Sequence, residues 1–172
     1  MKKNKIINNT LSKIKFTLPI IIGTLACDQL TKLVVLYTLV KNQVVHIFSF
    51  FNFVLIFNTG VSFGMFQSNG MLGFWILILI ALSLCIWLCY IIAQTNDRLE
   101  HISYSLIIGG ALGNIMDRFL YGGVVDFLQF HIKKYYWPSF NIADSAIVIG
   151  VALVLGTQTW HSFKKSTKKI TR

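Results

Sequence analysis

Only six acidic residues serve this 172-residue chain, and two of them stand where a carboxylate is expensive. Asp126 lies in "GGVVDF", behind a Gly122-Gly123 turn signal, in an apolar strand-like run with no basic neighbour in sequence. Asp144 lies in "FNIADSAIVIG", at the threshold of an almost wholly apolar stretch. Singly, each has a plain structural reading: a hydrogen-bonded turn carboxylate for Asp126, a first-turn helix cap for Asp144. Together they can do chemistry. Two carboxylates in one low-dielectric site cannot both ionise easily, so one keeps a proton. The ionised one is a general base for water, and the protonated one polarises a peptide carbonyl and later protonates the leaving amine. That is the chemistry of an aspartic peptidase.

Other nucleophile classes are poorly supplied. Cys27, Cys85 and Cys89 fall in apolar stretches, and none of His46, His101, His131 and His161 forms a recognisable pair with a cysteine or serine. No HExxH motif is present and the cysteine spacing is not that of a zinc site, so neither metal nor other cofactor is expected. The three cysteines read as small packing residues rather than a disulfide framework.

The elements that must position these carboxylates are membrane helices. The chain is 55% hydrophobic and 13% charged, about half the charge of a soluble domain. Four stretches, about 16–40, 71–93, 102–120 and 142–160, approach the roughly 20 residues needed to cross a bilayer. One domain is expected, since no linker or repeat divides the chain. The net charge of +10 gathers at the ends, with Lys2, Lys3, Lys5, Lys13 and Lys15 at one and Lys164, Lys165, Lys168, Lys169 and Arg172 at the other. No basic stripe is left for nucleic acid to follow, and both termini and the link "QTNDRLEH" are expected on the cytoplasmic face. The stretch after the first span, "NQVVHIFSFFNFVLIFNTGVSFGMF", is too short to cross and too apolar for an ordinary loop. Its β-branched and aromatic residues predict strands and a turn at the outer interface. Tyr135, Tyr136 and Trp137 read as interfacial anchors, which puts Asp144 near the outer surface.

Further polar residues interrupt the spans. "DQLTK" sets Asp28 four residues before Lys32, one helical face in the favourable acid-before-base order, and predicts an internal ion pair. In "GGALGNIMDRFLYGGVVDF", Gly109 and Gly113 allow close helix packing, Asn114 and Asp117 share a face, and Arg118 can pair with a nearby carboxylate.

"DQLTK", "FNTGVSFGMF", "GNIMDRFLYGGVVDF" and "FNIADS", in this order and at these intervals, resemble bacterial lipoprotein signal peptidase, also called signal peptidase II. The resemblance covers about residues 27–150. It implies a four-helix integral membrane protein of the bacterial cytoplasmic (inner) membrane with an outward β-structured cradle. It implies an aspartic endopeptidase acting on diacylglyceryl-modified prolipoproteins among the membrane lipids, cutting before the lipidated cysteine, with its site toward the outer face. On that resemblance the dyad falls on Asp126 and Asp144, and Asp28, Lys32, Asn58, Asn114, Arg118 and Asn141 form the polar shell. In "NTGVSF", Val61 and Ser62 stand where many members have two alanines.

Two other readings stay open. "LPIIIGTLAC" imitates a lipoprotein signal sequence ending at Cys27, although the apolar stretch continues past it and three more follow. Intramembrane Asp and Lys also equip ion channels and transporters. A channel, however, needs titratable groups through the bilayer, whereas Asp117, Asp126 and Asp144 crowd one end.

Overall fold

The computed structural model describes residues 2–60 and 70–170, with side chains over 10–60 and 70–160. Helix α1 (Lys2–Thr38) is followed by strands β1 (Val44–Phe48) and β2 (Phe51–Asn58). Helices α2 (Gly70–Gln94) and α3 (Arg98–Tyr121) come next, then β3 (Val124–Ile132), β4 (Tyr135–Tyr136) and α4 (Ile142–Ile170). The strands form one antiparallel sheet in the order β1-β2-β3-β4. The expected β-structure after the first span is therefore present. The "VSFGMF" part of that stretch, with Val61 and Ser62, lies outside the described residues.

Three helical stretches are long and apolar enough to cross a membrane: Thr10–Thr38, Gly70–Gln94 and Ile142–Trp160. Helix α3 is not among them, so the expected count of four spans is not reached on hydropathy. Its 24 residues would extend roughly 36 Å, so length is not what it lacks. Among the described residues α3 packs against α1, α2 and α4, and Ser103, Ser105, Gly109, Gly110 and Gly113 are buried along it. A helix solvated by other helices need not be apolar, and small or hydroxyl residues let neighbours approach. A Cβ on Gly110 would collide with the carbonyl of Ala143 in α4, and one on Gly109 would come within 2.7 Å of Thr24 in α1. Helix α2 shows the opposite pattern, with Ile80, Ile86 and Trp87 exposed on its outer face.

The helix limits differ from those expected. Helix α1 begins well before residue 16 and ends at Thr38, after which Asn42 takes a left-handed turn at φ 64°. The helix runs unbroken through Cys27, unlike a leader that ends there. The polar link between α2 and α3 shrinks to residues 95–97, because Asp97 caps α3 by accepting from the N–H groups of Leu99 and Glu100. At the other end of α3, Gly122 adopts φ 72° and returns its N–H to the carbonyl of Arg118, which turns the chain into β3. Val35, Leu55, Val125 and Phe127 form a buried cluster that binds the sheet to the last turns of α1. The sheet thus sits where α1 and α3 end and α4 begins.

Candidate active site

Both key carboxylates are placed by backbone pairing at that end. In β3 the Cα of Asp126 stands opposite Ile56 of β2, with Val124 opposite Asn58. Asn58 reaches diagonally across the strands, and its Nδ2 donates to Asp126 Oδ2 at 3.1 Å. The chain returns to β3 just before α4: the N–H groups of Phe127 and Leu128 donate to the carbonyl of Phe140, and that of Phe140 donates to Leu128. One residue later Asn141 caps α4. Its Oδ1 accepts from the N–H of Asp144 at 2.8 Å, and Asp144 Oδ2 accepts from the N–H of Asn141 at 3.3 Å. This is a reciprocal capping box, so Asp144 has the capping role considered for it from sequence. The cap uses only one of its oxygens.

Asn141 ties the two carboxylates into one network. Its Nδ2 donates to Asp126 Oδ1 at 2.9 Å, and it is fully buried. Asn114 of α3 donates from Nδ2 to Asp144 Oδ1 at 2.7 Å and accepts from Asn141 Nδ2 at 3.2 Å. Asp126 is 2% exposed, whereas Asp144 is half-buried and lines an apolar cavity of about 560 Å³ with Trp137, Phe140, Ser145 and Val148. Burial pushes the Asp126 carboxyl up to about 7; the negative charge of Asp144 adds to this, and the amides of Asn58 and Asn141 and the Lys32 ammonium oppose it.

A second acidic group lies behind the first. The expected ion pair is present, with Lys32 Nζ 2.7 Å from Asp28 Oδ2, but the same ammonium lies 2.6 Å from Asp117 Oδ2. Asp28 and Asp117 are completely buried, and Lys32 is almost so. The pair expected from sequence is therefore one side of a three-membered group. Its free lone pairs are used to fix backbone. Asp28 Oδ1 accepts from the N–H of Ala143 at 2.8 Å, one residue before Asp144. Asp117 Oδ2 accepts from the N–H of Val125 at 3.0 Å, one residue before Asp126. Gln29 donates to both carboxylates, at 3.1 and 2.9 Å.

Asp117 and Gln29 were not among the site residues expected from sequence. Asp117 left a trace there, three residues after Asn114, while Gln29 left only its polarity within an apolar span. Arg118 behaves differently from expectation. Instead of pairing with a carboxylate, its Nη1 donates to the carbonyl of Asn114 at 3.0 Å and its Nη2 to that of Gly60 at 3.2 Å. Those bonds hold the end of β2 against α3.

Comparison with known proteins places the chain in a family. A family described as "Signal peptidase (SPase) II" matches residues 20–160. A protein of Azoarcus sp. named lipoprotein signal peptidase is 44% identical over 137 residues, covering 79% of this chain and 78% of that protein. One of the same name from Burkholderia thailandensis is 41% identical over 129 residues, covering 74% and 78%. Among solved structures, one described as "Bacterial membrane enzyme structure by the in meso method at 2.3 A resolution" superposes with a TM-score of 0.78 at 30% identity, covering 88% of this chain and 92% of that one. With its apolar helices, its small sheet and a match over most of its length, the chain belongs to the signal peptidase II family of membrane proteases.

Proposed function

We propose that this protein is an intramembrane aspartic endopeptidase that removes the signal peptide from diacylglyceryl-modified prolipoproteins, cutting before the lipidated cysteine, with Asp126 and Asp144 as its catalytic pair. The observation that carries this reading is the contrast in partners. Asp126 and Asp144 are held by asparagine amides and one backbone N–H, with Asp144 bordering an apolar cavity, while the lysine nearby is taken by two other carboxylates. Amide donors orient a carboxylate without supplying the full counter-charge that would hold it ionised.

In this mechanism the pair shares one proton. The ionised carboxylate takes a proton from water as the water oxygen bonds to the scissile carbonyl carbon, while the protonated partner donates a hydrogen bond to the carbonyl oxygen. The tetrahedral intermediate collapses with cleavage of the C–N bond, and the amine leaves with a proton from the pair. Asn141 holds both carboxylates in register, Asn58 and Asn114 orient one each, and Asp28, Lys32 and Arg118 fix the surrounding backbone. Apolar substrate parts seated along the cavity by α4 would supply binding energy remote from the reacting bond.

The same reading treats the chain as one membrane-embedded domain with α3 as a fourth span. Both lysine-rich ends then face the cytoplasm and the sheet faces outward. Neither metal nor nucleotide enters the reaction. Incubation of the purified protein in detergent with a prolipoprotein, lipid-modified or unmodified, tests the proposal. Release of the signal peptide from the modified precursor alone is expected. Release that survives in both Asp126→Asn and Asp144→Asn would overturn it.

A further inference from the structure

The far end of the helices from these carboxylates holds a different kind of cavity. It measures about 290 Å³ and is lined by Ser12, Lys13, Phe16, Asn96, Arg98 and His101. Three of these six side chains, Lys13, Arg98 and His101, are basic and none is a carboxylate. The adjacent Asp97 turns an oxygen onto the N–H groups of Leu99 and Glu100. Lys13 is only 8% exposed, and its Nζ donates to the carbonyl of Ala93 at 2.7 Å, in the last turn of α2. An ammonium carries three donors, so capacity remains. His101 is 5% exposed, with Nε2 hydrogen-bonded to the carbonyl of Thr95 at 3.2 Å. Phe16 holds the other two groups in place: the Arg98 guanidinium carbon lies 5.9 Å from its ring centroid, and the His101 ring 6.2 Å away.

We propose that this cavity binds the phosphate of an anionic membrane lipid in the leaflet opposite the carboxylate site, with Lys13, Arg98 and His101 as its donors. Among the described residues no carboxylate forms an ion pair with Lys13, and a buried cation so placed needs a counter-charge from elsewhere. Capping of α2 uses one donor of Lys13, the Thr95 carbonyl engages one nitrogen of His101, and Phe16 holds Arg98 and His101 beside it, so three polar heads meet in a space with no carboxylate in its lining. Depth identifies the anion. Lys13 stands at the start of the apolar stretch Thr10–Thr38, and Arg98 to Asn114 spans roughly 24 Å of helix. The two sites therefore occupy opposite edges of a hydrocarbon layer about 30 Å thick. Phosphate groups of lipids lie at that level, and basic pockets between membrane helices are suited to them.

Native mass spectrometry of the purified protein in detergent, with dioleoyl phosphatidylglycerol or dioleoyl phosphatidylcholine added, tests this. Preferential retention of phosphatidylglycerol is expected. Arg98→Gln should lower that retention about fivefold, while Lys164→Gln with Lys165→Gln, which removes charge from the terminal segment, should leave it unchanged. Arg98 is exposed, so its variant should melt like the parent and decides the outcome even if Lys13→Gln fails to fold. Equal retention of the two lipids, undiminished retention in Arg98→Gln, or loss in the terminal variant instead would each overturn the proposal. So would displacement of the lipid by millimolar inorganic phosphate, which would mark a site for soluble phosphate.

Discussion

Asp28 and Asp117 share a buried lysine, whereas Asp126 and Asp144, a few residues further along the elements they support, share a buried asparagine. Both groups are acidic and both sit at the end of the helices where the sheet packs. The difference lies in what answers the negative charge. The lysine group has ion pairs and a hydrogen bond on every carboxylate oxygen, and those bonds reach backbone N–H groups adjacent to the other pair. It acts as a clamp. The asparagine group has oriented oxygens and less counter-charge, with Asp144 bordering a cavity. A site that must exchange protons needs the second arrangement, and a site that must hold four chain segments together in lipid needs the first.

Substitutions can break this contrast from either side. The largest effect is expected from the asparagine-held pair. Asp126→Asn and Asp144→Asn should each lower cleavage of a lipid-modified prolipoprotein by at least about a thousandfold, with melting in detergent retained, and the double variant should be little worse than either. A gel-shift assay run beside thermal denaturation separates the two quantities. Near-normal cleavage by Asp144→Asn would reduce that residue to its capping role.

Lys32→Met should do the reverse. It leaves two buried carboxylates without their cation, so the folded protein should lose about 3 to 5 kcal/mol, read as a large fall in melting temperature with activity lost in proportion. Unchanged melting with lost activity would instead place Lys32 in the chemistry. Asp28→Asn should be milder than it would be in a simple ion pair, because Lys32 keeps Asp117.

The pH dependence sharpens the same contrast. The Asp126 carboxyl is pushed from 3.8 up to about 7 in the folded protein, so the folded state holds this proton more tightly than the unfolded chain. The resulting stability is fully present below about pH 4 and is lost as the pH rises through about 7. Stability of the parent should fall between about pH 4 and 7, by a few kcal/mol at most, given about 1.4 kcal/mol per unit. Asp126→Asn should lack this slope. Cleavage should also decline on the alkaline side near pH 7, as the pair loses its shared proton.

A smaller effect is expected from Gly110→Ala. The new methyl would meet the Ala143 carbonyl and push α4 away from α3, costing about 1 to 3 kcal/mol as overpacking does. Because Ala143 precedes Asp144, cleavage should fall by more than the loss of folded protein explains. Equal losses would make the contact purely structural.

Much of this was legible in the residues. The four ordered motifs marked the family, and the strand-forming stretch read at 44–66 marked the first half of the sheet, whose strands lie at 44–48 and 51–58. Asp126 and Asp144 were conspicuous because a carboxylate in an apolar run needs a reason. Other features were not legible, for identifiable causes. Residues 102–120 read as a fourth span in the sequence, yet α3 is not among the stretches apolar enough to cross, because it carries Ser, Gly and Asn where it packs against other helices. The i,i+4 spacing showed Asp28 with Lys32 but not Asp117, which arrives from 85 positions further along the chain. Arg118 resembled a partner for a carboxylate, yet its guanidinium is used by two carbonyls that only the folded chain brings to it.

The sequence by itself determined the solvent, the helical and strand-forming stretches and the identity of the two isolated carboxylates. These follow from composition and local periodicity, which act over a few residues. Tertiary structure alone decided which carboxylates share a lysine and which are held by asparagines. Lys32 is within reach of both Asp28 and Asp117 only after α1 packs against Gly109 and Gly113 of α3, and Asn141 meets Asp126 only after Phe140 pairs with β3. A carboxylate's chemistry is set by the charges and donors within a few ångströms of it, and for these four aspartates most of those neighbours come from elsewhere in the chain.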